Sequence, residues 1–145
     1  MSGTIITNSE KETIKAGFDF AGSINTNDMI GLDGELGTGK TQFVKGVCDY
    51  FQIAETVNSP TFIIVNEYNG KFHPDEKKLK IFHFDLYRLE HPSELEIIGF
   101  DEYLNHPQSI ILIEWPTLAE EYLGKNIQKI SFDYGESENS RIIKL

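Results

Sequence analysis

Apolar side chains recur every three or four residues in several stretches of the chain, the spacing that lines one face of a helix. The first stretch opens with Ser9, followed three residues later by Glu12, a capping-box pattern that marks a helix start. A second capping box pairs Ser93 with Glu96, and Gly99 supplies a left-handed stop after it. The pattern therefore predicts helices over residues 10–22, 40–51, 93–98 and 117–123, with one more turn at 101–104.

Strands are predicted where β-branched and aromatic side chains cluster or alternate. Two short apolar runs, 29–32 and 109–113, have the composition of strands that are buried on both faces. Two other runs flank the charged stretch 69–80, which we interpret as the solvated tip of an antiparallel hairpin. The predicted strands are 29–32, 61–68, 79–84, 109–113, 130–134 and 141–145, and the last two form a C-terminal β-hairpin. This order of elements predicts an α/β fold with a mixed parallel and antiparallel sheet flanked by helices.

Length and charge narrow the class of protein. The 145 residues suit a single domain over 1–145, and a hydrophobic fraction of 39% is enough for a buried core. The formal net charge of −10 disfavours non-specific nucleic-acid binding and attachment to an acidic membrane surface. Cys48 is the only cysteine and cannot form an internal disulfide, and the aliphatic run 110–113 is far too short to span a membrane. We therefore expect a cytoplasmic protein.

The strongest motif is GELGTGKT, which begins at Gly34 and matches the phosphate-binding P-loop pattern. It lies between a predicted strand and a predicted helix, where backbone N–H groups converge on an anion. Gly34, Gly37 and Gly39 allow the backbone to approach the ligand closely. Lys40 would reach the β- and γ-phosphates, and Thr41 would place its hydroxyl on Mg²⁺. The alternative is a glycine-rich turn that caps an ordinary helix, but the motif in this context predicts a P-loop NTPase-like domain.

A P-loop needs a carboxylate at the end of a neighbouring strand to hold the metal's water shell, and the chain offers two. Glu114 follows the apolar run 110–113, as expected at the end of a central strand, and is our preferred metal-side acid. Asp85 follows the less regular run 81–84 and would orient the attacking water or the metal's water shell. The alternative for either residue is a helix N-cap or a surface carboxylate.

Four further features each leave two interpretations open. His83 could be a base or a hydrogen-bonded core histidine. Arg88 could stabilise developing phosphate charge or form a structural ion pair. Trp115 could form a wall of the site or belong to the core. The segment 59–62, SPTF, could be a nucleotide-sensing loop or a Ser-Pro turn that enters a strand.

Four blocks of the sequence together resemble one known family. They are GELGTGKT at 34–41, SPTF at 59–62, HFDLYRL at 83–89 and EWP at 114–116. In this order and at these separations, they resemble the TsaE (YjeE-like) family, the small P-loop ATPases of bacterial tRNA threonylcarbamoyladenosine biosynthesis. The resemblance implies a Mg²⁺-dependent ATPase that associates with the TsaB and TsaD proteins. Its ATP turnover would support transfer of the threonylcarbamoyl group to adenosine 37 of tRNAs that read ANN codons. The chain would contact the tRNA only indirectly, through the complex.

The resemblance also assigns roles to individual residues. Residues 34–42 would form the nucleotide loop, and Thr41 and Glu114 would bind the metal. Asp85 would be a second essential acid, and Trp115 would line the wall of the site. These roles agree with those that the P-loop and the strand ends suggest on their own.

Two other segments acquire a role only through the resemblance. Residues 7–13 would lie near the adenine, and residues 59–61 would act as a switch near the γ-phosphate. Thr38 and Gln42 depart from the family's usual Ala or Ser and its common second Thr, but neither change removes a phosphate-binding or metal-binding group. The predicted site is catalytic at Lys40, Asp85 and Glu114, metal-binding at Thr41, Asp85 and Glu114, and nucleotide-binding at Thr7, Ser9, Thr13, Gly34, Gly37, Thr38, Gly39, Lys40, Thr41, Gln42, Ser59, Thr61 and Trp115.

Three other functions share part of this pattern. A small-molecule kinase needs an acceptor pocket and usually a lid with several arginines, and the chain has only Arg88 and Arg141. A nucleotide-sensing module would use ATP binding, without turnover, to set its affinity for a partner. A GTPase is disfavoured because the sequence has no Asn-Lys-x-Asp segment to read guanine.

Overall fold

The computed structural model describes residues 3–58, 60, 64–72, 75–124 and 127–145. Their strands are β1 (Thr4–Thr7), β2 (Met29–Asp33), β3 (Val65–Lys71), β4 (Lys78–Asp85), β5 (Ser109–Glu114), β6 (Gln128–Tyr134) and β7 (Arg141–Lys144). Their helices are α1 (Glu10–Ala21), α2 (Lys40–Tyr50), α3 (Ser93–Ile97), α4 (Phe100–Leu104) and α5 (Thr117–Leu123). Each predicted helix and strand has a counterpart here, and β1 is an additional strand that the apolar pattern did not predict.

The seven strands of the described residues form one sheet in the order β1-β7-β6-β2-β5-β4-β3. The central strand β2 pairs in parallel with β5 and β6, and β5 pairs in parallel with β4. Antiparallel pairs complete both sides, with β3 on β4 at one edge and β6, β7 and β1 at the other. The predicted α/β fold with a mixed sheet and a C-terminal β-hairpin is confirmed. The carboxyl ends of β2, β5 and β4 meet at one edge of the sheet, where a ligand site is expected.

The hairpin of β3 and β4 has longer strands and a shorter turn than the sequence predicts. β3 continues to Lys71 and β4 begins at Lys78, both inside the stretch 69–80 that we interpreted as a solvated tip. Leu79 is buried, while the lysines beside it face outwards. Because side chains alternate between the two faces of a strand, charge on one face does not end it. Residues 61–63 of the predicted strand 61–68 lie outside the described residues.

Apolar side chains fill both faces of the sheet. On one face, α1 and α2 cover a cluster that includes Phe43, and on the other, the three short helices cover a cluster that includes Phe84 and Phe100. The backbones of α1 and α2 lie very close together. A Cβ on Gly17 or on Gly46 would collide with the backbone of the other helix. Glycine at these two positions therefore fixes how near α1, which leads into the site, approaches α2.

The N-terminal cap of α1 has the predicted hydrogen bond to Ser9, but the Glu12 carboxylate accepts from a different N–H than a capping box predicts. The backbone N–H of Glu12 donates to Ser9 Oγ at 3.1 Å. The Glu12 carboxylate accepts from the N–H of Asn8 at 3.1 Å, one residue earlier than the N-cap. One N–H in the first turn and one just before the helix are thus satisfied by side chains, which holds the entry to α1 in place.

The second predicted capping box is wrong. Pro92 occupies the N-cap position of α3, and no side chain caps this helix. Glu94, rather than Glu96, accepts from the preceding backbone, at the N–H of His91 at 3.2 Å. The predicted stop at Gly99 is confirmed by its φ of 76°. Among the described residues, no helix is long and apolar enough to cross a membrane.

Candidate functional site

The P-loop connects the end of β2 to the start of α2, as the sequence predicts. Gly37 and Gly39 have φ values of 78° and 97°, in the left-handed region that favours glycine. Gly39 is also the N-cap of α2 and no side chain caps this end. The first N–H groups of α2 therefore face the loop without a side-chain partner, which is the arrangement that binds phosphate at a helix N-terminus.

Gly34 and Thr38 support the loop from behind. A Cβ on Gly34 would lie 2.6 Å from the carbonyl oxygen of Phe132 in β6, so no larger residue fits. Thr38 is buried and donates its hydroxyl proton to the carbonyl of Glu35 at 2.6 Å. Both residues shape the loop but do not line the cavity in front of it.

Lys40 is the buried charge at the centre of the site. Its ammonium donates to the carbonyl oxygen of Gly34 and lies 4.1 Å from the centre of the Trp115 ring. Burial lowers the pKa of Lys40 from its usual value, and the negative charges of Glu114 and Asp85 oppose that shift. A cation held by a carbonyl and an aromatic face can exchange both contacts for stronger bonds to phosphate oxygens.

The two predicted carboxylates lie side by side at the ends of neighbouring strands. Asp85 and Glu114 are paired in the register of β4 and β5, and Glu114 is also paired with Leu32 of β2. Only 7% of Asp85 and 3% of Glu114 is exposed, so neither is a surface carboxylate. Asp85 Oδ1 accepts from the N–H of Tyr87 at 3.0 Å, which fixes the orientation of this acid.

His83 is a hydrogen-bonded core histidine with a direct contact to the site. It is fully buried, and its Nε2 lies 2.7 Å from Glu114 Oε2. When Glu114 is ionised, this ring nitrogen carries the proton and donates it. Within the described part of the chain, Nδ1 has no hydrogen-bond partner. His83 does not line the cavity, so it holds Glu114 rather than facing the ligand.

A cavity of about 530 Å³ lies in front of the P-loop, and most of the predicted site residues line it. Its volume is in the range of ordinary small-ligand sites. The predicted residues that line it are Ser9, Thr13, Gly37, Gly39, Lys40, Thr41, Gln42, Asp85, Glu114 and Trp115. Glu10 and Leu36 also line it and belong to the predicted segments 7–13 and 34–42, whereas Tyr87, Asn139 and Arg141 were not predicted.

Of the remaining candidates, Thr7 and Arg88 do not line the cavity. Thr7 is buried behind the cavity, where its hydroxyl lies 2.7 Å from that of Thr13, so it holds a lining residue and does not itself line the cavity. Ser59 and Thr61 lie outside the described residues. Arg88 is exposed and does not line the cavity.

The C-terminal hairpin of β6 and β7 supplies contacts to the P-loop that sequence reasoning missed. Arg141 Nε donates to the carbonyl of Gly37 at 3.1 Å, and Tyr134 donates its hydroxyl proton to the carbonyl of Leu36. The Arg141 guanidinium also lies 5.5 Å from the centre of the Tyr134 ring. The sequence predicted this hairpin, but its position beside the loop follows from the parallel pairing of β6 with β2, which has no local signal.

The groups around the cavity fit a magnesium ion that is bound together with a nucleotide. Thr41, Asp85 and Glu114 bring a hydroxyl and two carboxylates to the same cavity. The described residues contain no group of three or more His, Cys, Asp or Glu side chains that could hold a metal by itself. Mg²⁺ is usually held by one or two carboxylates together with phosphate oxygens and water, so this donor set is suitable.

Nearly the whole chain matches a known family. Residues 7–143 match the model of the family described as "Threonylcarbamoyl adenosine biosynthesis protein TsaE". The chain belongs to the TsaE family. The resemblance inferred from the four sequence blocks is therefore confirmed, and this family member has its P-loop where the motif predicts it.

Curated relatives of this TsaE-family chain agree with the assignment. Each is described as tRNA threonylcarbamoyladenosine biosynthesis protein TsaE. The relative from Bacillus subtilis is 45% identical over 96 residues, which are 66% of this chain and 55% of that protein. The chain thus spans about half the length of that relative. The relative from Rickettsia felis is 34% identical over 143 residues, covering 97% of this chain and 78% of that protein. The relative from Borreliella burgdorferi is 34% identical over 137 residues, or 94% of each chain.

A solved structure has the same architecture as this TsaE-family chain. It is the crystal structure of YdiB from Bacillus subtilis, which superposes with a TM-score of 0.74 at 29% sequence identity. The match covers 99% of this chain and 85% of YdiB. The fold is therefore shared over essentially the whole length.

Proposed function

We propose that this TsaE-family protein binds and hydrolyses ATP with Mg²⁺ in the threonylcarbamoylation of adenosine 37 in tRNAs that read ANN codons. The observation that carries the proposal is one cavity that contains the P-loop, a buried lysine and two buried carboxylates. Phosphoryl transfer depends mainly on positioning and charge stabilisation, which such a constellation supplies.

Each group would have a distinct task. The N–H groups at the start of α2 and the ammonium of Lys40 would bind the β- and γ-phosphate oxygens. Thr41 and Glu114 would hold Mg²⁺, which when bound supplies positive charge against the phosphate oxygens. Asp85, already oriented by the Tyr87 N–H, would orient the attacking water, directly or through the water shell of the metal.

We also propose that TsaB and TsaD complete the reaction, and that the chain contacts the tRNA only indirectly, through its complex with them. The exposed position of Arg88 supports a need for partners, because this arginine does not reach the cavity to stabilise developing phosphate charge. The acidic balance of 23 acidic against 13 basic residues favours protein partners with basic surfaces over direct binding to tRNA. The cytoplasmic location stays a prediction.

Phosphate release from ATP tests the proposal when it is measured with and without TsaB, TsaD and tRNA. We expect weak turnover by the chain alone and stimulation by the complex. Lys40→Ala, Glu114→Gln and Asp85→Asn should each lower the stimulated rate by about a hundredfold or more, as loss of a transition-state contact does. Lys77→Ala, on the exposed hairpin turn away from the cavity, is the matched control and should leave the rate unchanged.

Other outcomes identify other functions. Unchanged ATP binding and phosphate release in Lys40→Ala would contradict the P-loop assignment. Full Mg²⁺-dependent turnover in both carboxylate variants would contradict the metal and water roles. Tight ATP-dependent association with the partners without turnover would instead identify a nucleotide-sensing module, and label transfer from ATP to a metabolite would identify a kinase.

A further inference from the structure

A second cavity lies at the opposite end of the sheet from the nucleotide site. Its volume is about 690 Å³, and it lies between the β3–β4 hairpin and the loop that precedes β5. Lys78, at the start of β4, lines this cavity, while Asp85, at the end of the same strand, lines the nucleotide cavity. Lys78 and Asp85 are seven residues apart along an extended strand, a distance of roughly 23 Å. A ligand could therefore occupy it without touching the P-loop.

The charge of this cavity is opposite to that of the chain. Three lysines line it, Lys71, Lys78 and Lys80, although the chain has only 13 basic residues. None of the described residues that line it is acidic, although the chain has 23 acids. Two glutamates contact lining residues from outside: Glu67 lies 3.3 Å from the ammonium of Lys80, and Glu55 accepts from the N–H of Asn69 at 2.9 Å. The nucleotide cavity, by contrast, includes the acids Glu10, Asp85 and Glu114. The other polar side chains of the second cavity are those of Gln52, Asn69, His106 and Gln108, and all of them can donate hydrogen bonds.

Two of the lysines, both exposed, lie directly opposite each other in the β3–β4 hairpin. Lys71 and Lys78 are direct partners in the antiparallel register of β3 and β4. Like charges at directly opposed positions destabilise a strand pair. The ammonium of Lys80 lies 3.3 Å from the carboxylate of Glu67. Neither Lys71 nor Lys78 has a carboxylate partner among the described residues. An anion bound between them would remove this repulsion.

We propose that this cavity binds a compact ligand with two or more phosphate groups, a function beyond ATP hydrolysis at the P-loop. Lysine is a point charge that suits tetrahedral phosphate, whereas planar carboxylates favour the forked guanidinium of arginine, which is missing from the described lining. The volume exceeds the needs of a single phosphate and is within the range of ligands of metabolite size. The net charge of −10 repels a long polyanion such as RNA, so a small ligand is favoured.

Nuclear magnetic resonance of the full chain tests the proposal with inorganic diphosphate as the probe. Backbone amide signals of Lys71, Lys80 and Gln108 report on the second cavity, and those of Gly37 and Gly39 report separately on the P-loop. We expect saturable shifts of the first group. Because the two groups of signals are independent, failure of the second site and failure of the nucleotide site are distinguishable.

A pair of double variants tests which lysines are responsible. Lys71→Gln/Lys78→Gln should weaken diphosphate binding at the second cavity by about tenfold or more, since each lysine contributes a charge-assisted bond. Lys77→Gln/Lys144→Gln changes the net charge equally at exposed positions outside both cavities and should bind like the unchanged chain. The first double variant should unfold at the same or a higher temperature, because it removes the repulsion between opposed lysines.

Three results would overturn the proposal. The first is the absence of saturable shifts around the second cavity. The second is equal weakening in both double variants, which would show a response to net charge alone. The third is a response of the same signals only to a tRNA or to a polyglutamate peptide, which would assign the lysines to a macromolecular partner instead of a small phosphate ligand.

Discussion

Buried charge at the site is stabilised by a few specific contacts. Lys40 is buried, and the charge of its ammonium is favoured by Glu114 and Asp85, against the effect of burial. The carboxylate of Glu114 in turn has the ring of His83 at hydrogen-bond distance. Removing one member of such a set leaves another buried polar group without its partner, which is costly. Residues that never touch a ligand are therefore expected to influence the site.

We predict that His83→Phe lowers both the stability of the protein and the metal response of the site. The ring of phenylalanine fills much of the same volume but cannot donate to Glu114. The loss of this hydrogen bond to a buried carboxylate should cost about 1–3 kcal/mol in the free energy of unfolding, measured by urea denaturation. The Mg²⁺ concentration for half-maximal phosphate release should also rise, because Glu114 is no longer held in one orientation.

His83→Gln is the matched variant for this prediction. Its side-chain amide retains a donor, so both effects should be smaller than in His83→Phe. Equal effects in the two variants would show that His83 acts by filling space and not by holding Glu114.

Cys48 gives a prediction about reactivity. It is buried in α2, and burial raises the pKa of its thiol to about 12, with smaller contributions from Asp49 and Glu55. The thiolate is the reactive form, so little of it is present at pH 8. We expect a thiol reagent such as 5,5′-dithiobis(2-nitrobenzoate) to react with the native chain only as fast as the chain unfolds, and at once in urea. Rapid labelling of the native chain would contradict the burial of this side chain.

At the scale of whole elements, the site depends on how closely α1 packs against α2. The residues Ser9 and Thr13 reach the cavity from the start of α1, while Lys40 and Thr41 reach it from the start of α2. The two helices approach each other through Gly17 and Gly46, where backbone meets backbone. A change in this packing would move two walls of the cavity relative to each other.

We predict that Gly46→Ala destabilises the protein in spite of the better helix propensity of alanine. The new Cβ would collide with the carbonyl of Ile14, so the helices must separate. Overpacking of this kind costs about 1–3 kcal/mol, which exceeds the roughly 1 kcal/mol gained from propensity. Urea denaturation would measure the loss, and nucleotide affinity should fall with it. Gly22→Ala is the control, because its nearest neighbour would be 3.6 Å away, and it should cost little.

Local patterns in the sequence predicted the helices and most strands because their signals are periodic and short in range. The P-loop, Asp85 and Glu114 were predictable for the same reason, since each follows an apolar strand directly. The Ser93 capping box failed because the local pattern does not show that Pro92 starts the helix and that Glu94 accepts the preceding N–H groups. Such choices depend on the packing of neighbouring segments.

Long-range pairing is the part that the sequence did not reveal. β1 has only four residues, too few for a recognisable alternation, and it is held in the sheet by pairing with β7. The contact between Arg141 and Gly37 joins positions that are 104 residues apart. Arg141 and Asn139 line the cavity only because β6 and β7 lie beside β2 in the sheet order. No spacing in the sequence encodes that order.

At the scale of the whole molecule, the distribution of charge predicts how the protein meets its proposed partners. A net charge of −10 produces a long-range field that attracts positively charged surfaces. We predict that association with TsaB and TsaD slows by about tenfold or more when salt rises from about 50 mM to about 500 mM, since the Debye length falls below 10 Å. The dissociation rate should change much less, because short-range contacts determine it. Stopped-flow or biosensor kinetics would measure both rates, with a neutral osmolyte of equal osmolality as the control. Association that is unchanged or faster in high salt would show that an apolar surface, and not the acidic field, brings the partners together.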